Sequence, residues 1–361
     1  MANEVAYGFI GSEALFTHRV KQVGQEKVDS MIAETLAEYE RQTDSMLAWG
    51  MRSPIRSELV ELAGSGEAQT IDEWGNPVPV KELAPYEQGY PIAFAADAWG
   101  LNRLTRAKLT VEDANRLMIR SMSRHSNTLR RRVLSALFTD TSFSFADGQN
   151  TAVTVRPLAN GDSVTYVIEG ADTVAATHTH YVAQAAAIAD ATDPFAVAYT
   201  HLIEHPSNAG SRIVSYIASS LKATTKALAD FVPVASTDTV LGANLSRVRE
   251  DISNDDLMKI KGPGGEILGQ VDKVWVVEYP GLPTGYMITV AIDNAQPLLR
   301  MRYDDDFGPD MVEETNMVDG NREETRFLRY YGIAVHDRVG AVVTRIGNAS
   351  YAIPTGYTAA Y

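Results

Sequence analysis

The segment TVEDANRLMIRSMSRHSNTLRRRVLSALF, residues 110–138, sets the scale of the fold. Thr110 is a good N-cap, and Glu112 and Asp113 fall in the first turn, where the helix dipole favours negative charge. At about 100° per residue, Val111, Ala114, Met118, Met122, His125, Leu129, Val133 and Ala136 share one narrow face. Arg116, Arg120, Arg124 and Arg131 gather opposite. Such a helix is ~40 Å long, well above the usual length. His125 lies on the apolar stripe, so the reading is a core histidine rather than a ligand.

The arginine face stands out against the rest of the chain. Its 361 residues carry 46 acidic and 32 basic side chains, a formal charge of −14. Yet nine basic residues and only two acidic ones fall between Arg103 and Arg132. Three readings stay open: phosphate contacts with nucleic acid, pairing with acidic residues of another subunit, or a solvated face. The overall acidity opposes adhesion to nucleic acid through the chain's net field. Absence of cysteine excludes disulfides, thiolate zinc sites and cysteine nucleophiles. The N-terminus lacks the pattern of a signal peptide, and no apolar run reaches the ~18 residues of a membrane span.

On the N-terminal side, the first 23 residues read as an extended arm. A helix is expected over 25–49, with Val28, Met31, Ile32, Thr35, Tyr39, Met46 and Trp49 on one stripe and Gly50 closing it. Residues 55–100 read as a long two-stranded excursion. Glu58, Glu61, Glu67, Asp72 and Glu73 precede a turn at Trp74-Gly75-Asn76-Pro77. So few of these residues suit a core that the hairpin is expected to lean on another chain, and 55–87 is a candidate partner for the arginine face.

On the C-terminal side, short antiparallel strands are expected over 142–179, then a helix with Asp193 as N-cap and Pro194 at its first position. A buried strand (Arg212 to Ala218), a helix (Ser219 to Phe231) and two strands joined by PGLPT follow. The last is β-rich sequence from Thr325 to Ile346. Separated α and β blocks, without βαβ repeats, define an α+β protein.

Four motifs carry possible chemistry. His201-Leu-Ile-Glu204-His205 matches the inverted zincin pattern H-x-x-E-H, whose two histidines would hold zinc with the glutamate as base. Pro206 disfavours helix at His205 and so opposes the i,i+4 pairing, and the segment ends a short helix. A third ligand for it is not evident, although His178 and His180 form an H-x-H in an expected strand or loop. An ordinary polar helix end is the reading preferred to zinc hydrolysis, and no catalytic residue, cofactor or metal is expected. Asp304-Asp305-Asp306 lacks EF-hand spacing and reads as a solvated run. Lys261 to Gly265 lacks the P-loop ending and reads as a turn. In GIAVHDRVGAVV, residues 332–343, strand alternation puts His336 and Asp337 on opposite faces, so the triplet reads as a polar interruption of one late strand.

The order of these elements resembles the major capsid protein of tailed bacteriophages, the Hong Kong 97-like fold also found in encapsulin shells. Three segments carry the local resemblance. GSRIVSYIASSLKATTKAL (210–228) is similar to the strand-then-helix of that family's A domain. EILGQVDKVWVVEYPGLPTGYMITVAID (266–293) is similar to its strand, Pro-rich turn and return strand, and RYYGIAVHDRVGAVVTRIG (329–347) to its late strand. The resemblance implies an N-terminal arm and helix over 1–54, an E-loop over 55–105 and a P domain with a spine helix over 106–185. It further implies an A domain over 186–298, P-domain return strands over 299–330 and an A-domain return with the C-terminus over 331–361.

The function so implied is structural. Copies would assemble as hexamers and pentamers into an icosahedral shell around double-stranded DNA, contacted weakly and without sequence preference, after assembly in the host bacterial cytoplasm. A separate scaffolding protein, a portal and a decoration protein are the implied partners; no proteolytically removed N-terminal segment is expected. An encapsulin-like cargo compartment is the alternative. Arg116, Arg120, Arg124 and Arg131, with Glu58, Glu61, Asp72, Glu73 and Trp74, are the residues expected at contacts between subunits or on the inner surface.

Overall fold

The computed structural model describes residues 8–9, 13–60, 75, 85–148, 151–168, 178–234, 260–262, 264–294, 296–318 and 322–358. Two sheets organise them. The larger has seven strands in the order β7-β16-β12-β8-β11-β10-β9: Tyr181–Gln184, Ala341–Ile346, Tyr286–Ile292, Arg212–Ile217, Val274–Glu278, Glu266–Val271 and Phe231–Pro233. The second has five strands. Its path is β1-β13-β15-β14 (Gly50–Ser53, Leu299–Tyr303, Arg322–Val335, Val312–Val318), with β4 (Ala93–Asn102) also paired to β15. Two small ribbons pair β2 (Ser57–Val60) with β3 (Tyr86–Gly89) and β5 (Phe143–Phe145) with β6 (Val153–Val155).

Helix α1 spans Val20–Val23, α2 Gln25–Met46, α3 Arg103–Lys108, α4 Val111–Phe138, α5 Pro194–Ile203 and α6 Lys222–Lys226. The long helix α4 starts where the sequence places it. The Thr110 hydroxyl accepts from the Asp113 N–H at 3.1 Å, and the Asp113 carboxylate answers on the Thr110 N–H. Its expected stripe is buried from Val111 to Val133, with Ala136 half-buried. The first half packs with Val28, Met31, Ile32 and Tyr39 of α2 and with Phe9 and Val20 of the arm; the second half enters the main core between the sheets. The described part of the arm is therefore built into the core under α2 and α4.

Three expectations need correction. Helix α2 ends at Met46, and Gly50 opens β1 instead of closing the helix. There the Leu299 N–H donates to the Trp49 carbonyl at 2.9 Å, so sheet pairing competes successfully for these residues. The helix expected from Ser219 to Phe231 stops at Lys226 after a single 3-10 turn at its start. Thr224 and Thr225 bond back to the Leu221 carbonyl, and Phe231 is taken by the ladder to β10. Finally, the strand expected over 271–279, VDKVWVVEY, starts only at Val274 as β11, and it is not paired with β12 across the Pro-rich turn. Strand β8 lies between them, parallel to β11 and antiparallel to β12. Asp272 in the expected strand VDKVWVVEY instead sits at φ 47 in the tight β10–β11 turn.

His125 is buried as expected, 5% exposed, and its Nε2 has no hydrogen-bond partner among the described residues. Burial pushes its imidazole down to about 4. The unfolded chain takes up that proton near pH ~6.5, so the native state is favoured fully above ~6.5 and loses that advantage as pH falls toward ~4. His125→Gln is predicted to flatten the pH dependence of stability, removing about 2 kcal/mol of the loss between roughly pH 7 and pH 5. Urea denaturation at the two pH values measures this; an unchanged slope contradicts it.

Candidate functional site

The arginine face of α4 is exposed along its length. Arg116 pairs with Asp113 of its own helix and is 55% exposed; Arg124 pairs with Asp97 of β4 at 2.8 Å and is 65% exposed. Pairs as open as these contribute little and are screened by salt. Arg120 and Arg131 are exposed and have no ion-pair partner among the described residues. Arg132, one position further on, behaves differently. It is 7% exposed, donates to the Tyr331 carbonyl at 2.8 Å and stacks over the Tyr331 ring. The run of arginines is therefore split between solvent and core by the helical period.

Of the residues expected opposite this face, Glu61, Asp72, Glu73 and Trp74 lie outside the described residues. Glu58 is engaged inside its own chain. Its carboxylate meets Arg300 Nη1 at 2.7 Å and His336 Nδ1 at 2.7 Å, and the Tyr90 hydroxyl donates to it. Burial alone would raise this carboxyl, but the Tyr90 hydrogen bond, His336 and Arg300 outweigh it and hold the group below its ordinary value. The base of the excursion also has more core than its sequence suggests. Gln88 and Tyr90 are fully buried, and Gln88 Nε2 donates to the Val335 carbonyl at 2.9 Å and the Arg156 carbonyl at 3.2 Å. Asp147 adds a second anchor, accepting from Arg56 at 3.0 Å and Arg302 at 2.6 Å.

The triplet His336-Asp337-Arg338 is not an interruption within one strand. Strand β15 ends at Val335 in the five-stranded sheet, and β16 begins at Ala341 in the seven-stranded one. The alternation expected through Val339 therefore stops at Val335, because residues 336–340 turn from one sheet into the other. The three side chains fan out: His336 to Tyr90, Glu58 and Gln296, and Asp337 to Asn294. Arg338 reaches the Pro157 carbonyl at 2.6 Å, Asn160 at 3.0 Å and Asp162 at 3.1 Å. His336 and Asp337 do not converge on a common point, which is the outcome the sequence reading gave for a different reason.

The H-x-x-E-H segment also departs from its expected consequences. Helix α5 is capped by Asp193, which accepts from the Phe195 N–H at 2.8 Å, and it ends at Ile203 with Glu204 as cap. His205 is extended, with φ −93 and ψ 127, as the following proline requires. Leaving the helix does not isolate His205. It turns inward to the H-x-H, and the Nε2 atoms of His178, His180 and His205 lie 2.7, 3.0 and 3.2 Å apart. Burial pushes the His178 imidazole down to about 4 and lowers His180 and His205 as well. Sequence reasoning noted both motifs but had no way to bring them together. Asp304, by contrast, caps its own turn, accepting from the Asp306 N–H at 3.0 Å, and the run is exposed or half-buried.

This geometry defines the class of fold. The chain superposes on a chain of Mycobacterium phage Patience with a TM-score of 0.70, at 18% identity, over 95% of this chain and 94% of that one. Looser matches include the capsid of cyanophage P-SCSP1u (TM-score 0.49, 9% identity, 83% and 87% coverage) and a virus-like particle from Pyrococcus furiosus (0.39, 11%, 85% and 100%). No protein-family model and no curated protein sequence matches the chain. The protein has the Hong Kong 97-like capsid fold, as its order of elements implied. No helix among the described residues is long and apolar enough to cross a membrane.

Arg338 is 1% exposed, a buried charge whose side-chain hydrogen bonds go to residues 157–162 and which lies over the rings of Tyr86 and Tyr166. Arg338→Ala leaves those acceptors and Asp162 without it, and is predicted to cost about 3–5 kcal/mol of stability. Chemical denaturation of the unassembled subunit tests this; a loss under about 1 kcal/mol, the size of an exposed pair, contradicts it.

Proposed function

We propose that this chain is the major building block of a tailed-phage head, with many copies assembling as hexamers and pentamers into an icosahedral shell that encloses double-stranded DNA. The observation that carries the reading is a capsid-type fold matching a phage chain over nearly its whole length. The five-stranded sheet with α4 then corresponds to the P domain and the seven-stranded sheet to the A domain. The excursion based on β2 and β3 corresponds to the E-loop, reaching over a neighbouring subunit. The role is structural rather than catalytic, and the virion capsid is its location.

The surface chemistry supports this reading. A chain of net charge −14 repels DNA at long range, so packaged DNA is held loosely and moves without adhering to the wall. Against that field, Arg116, Arg120, Arg124 and Arg131 form a local basic face suited to acidic residues of a neighbour or to phosphate. Glu61, Asp72, Glu73 and Trp74 of the excursion are proposed as its partners across the subunit boundary. A separate scaffolding protein, a portal and a decoration protein complete the proposed set of partners.

Arg120→Glu is predicted to impair particle assembly while leaving the subunit folded. Its side chain is exposed on α4, so the fold has no stake in its charge. Electron microscopy and size-exclusion chromatography of co-expressed particles read the effect, with circular dichroism of the subunit as control. Normal particles in normal yield refute the role of this face, whereas a wild-type chain that forms no large particles refutes the shell itself.

A further inference from the structure

Three histidines from two distant segments point their Nε2 atoms at one another, and two of the three have their tautomer fixed from behind. His180 Nδ1 lies 2.7 Å from the Ala341 carbonyl, and His205 Nδ1 lies 3.0 Å from the Val167 carbonyl. A carbonyl only accepts, so each Nδ1 carries the proton and each Nε2 presents a lone pair. These two lone pairs face each other at 3.2 Å. His178 Nε2, at 2.7 Å from one and 3.0 Å from the other, has at most one proton to share between them. In a neutral cluster one of the three contacts is therefore acceptor against acceptor. The side chains are 9% exposed at His178, 2% at His205, and His180 is fully buried, so water does not relieve it.

A second observation points to the same spot. Glu204 Oε1 lies 3.3 Å from His178 Nε2 and 4.0 Å from His205 Nε2, yet it is buried without a hydrogen-bond partner. His201 Nδ1, 3.8 Å from that oxygen, is likewise buried and unpartnered. Three convergent imidazole nitrogens, a free carboxylate oxygen beside them and backbone carbonyls orienting two of the rings are what a tetrahedral borderline cation requires. Nitrogens bound to zinc at ~2.0–2.1 Å in a tetrahedral arrangement stand ~3.3–3.4 Å apart, a modest opening of the observed triangle.

We propose that His178, His180 and His205 hold a zinc ion, with Glu204 as the fourth ligand and His201 behind it. Four protein ligands and near-complete burial leave no position open for a substrate water, so the site is structural and not hydrolytic. It ties the end of α5 to the segment entering β7 and, through Ala341, to the first residue of β16. The sequence reading sought the ligand pair within H-x-x-E-H, whereas His205 has its neighbours in the H-x-H.

The test is zinc added alone to the purified full-length chain after chelator treatment. One zinc per chain is expected by elemental analysis after gel filtration, with a thermal midpoint that rises on zinc addition and falls again with chelator. Cobalt in place of zinc is expected to give the visible absorption of a tetrahedral centre. His178→Gln and His205→Gln are expected to weaken zinc at least ~10-fold, since loss of an orienting partner alone costs that much. No zinc retained by the wild-type chain overturns the proposal. So does equal zinc on wild type and both variants, which would place the ion elsewhere. Where a variant fails to fold, the cobalt spectrum of the wild-type chain decides, and an octahedral or absent spectrum counts against the site.

Discussion

A single two-stranded ribbon runs through both sheets. Strand β12 pairs antiparallel with β16 in the large sheet, and β13, next in the chain, pairs antiparallel with β15 in the other. The ladder breaks where the chain crosses, between Val290 and Leu299 on one side and between Val335 and Ala341 on the other. There the Leu298 carbonyl accepts from the His336 N–H at 2.9 Å, and the Gly340 carbonyl accepts from the Ala291 N–H at 2.9 Å. Backbone donors at a buried crossing have no water to turn to, so these bonds, with the Asp337 carboxylate accepting from the Val339 N–H at 3.1 Å, satisfy them in its place. The relative placement of the two sheets follows from this crossing. So does the position of the small β5–β6 ribbon and of residues 157–162, which Arg338 fastens to it.

Charge is used in two ways. Where the excursion leaves the body, Arg300 and Arg302 of β13 meet Glu58 and Asp147 in pairs mostly withdrawn from water. Such pairs add direction more than net stability, because desolvation offsets much of their attraction. On the outer face of α4 the arginines stay in water, where they contribute almost nothing to the fold and are free to act on something else. The apolar stripe of that helix already fills the core on its inner side. The proposed contacts and the core packing thus occupy opposite faces of one element.

What local chemistry can specify was legible without coordinates. The cap at Thr110, the stripe from Val111 to Val133, the cap at Asp193 and the effect of Pro206 on His205 all depend on residues within a few positions of each other, and all are found. The candidate site was legible only in part. Exposed Arg120 and buried Arg132 look alike as letters, and the helical period separates them. Gln88 and Tyr90 gave no sign of being core residues, because their burial comes from Val335, Arg156 and the crossing, all far away in sequence.

The sequence by itself determined the long helix, the α+β class and the order of elements that marks a capsid fold, because periodicity and capping act over one or two turns. Only the tertiary structure decided that β8 enters between β11 and β12, that His336 to Gly340 form a passage between sheets, and that His205 meets His178 and His180. Strand order and side-chain convergence depend on contacts across tens to hundreds of residues, which burial of apolar surface selects for the chain as a whole.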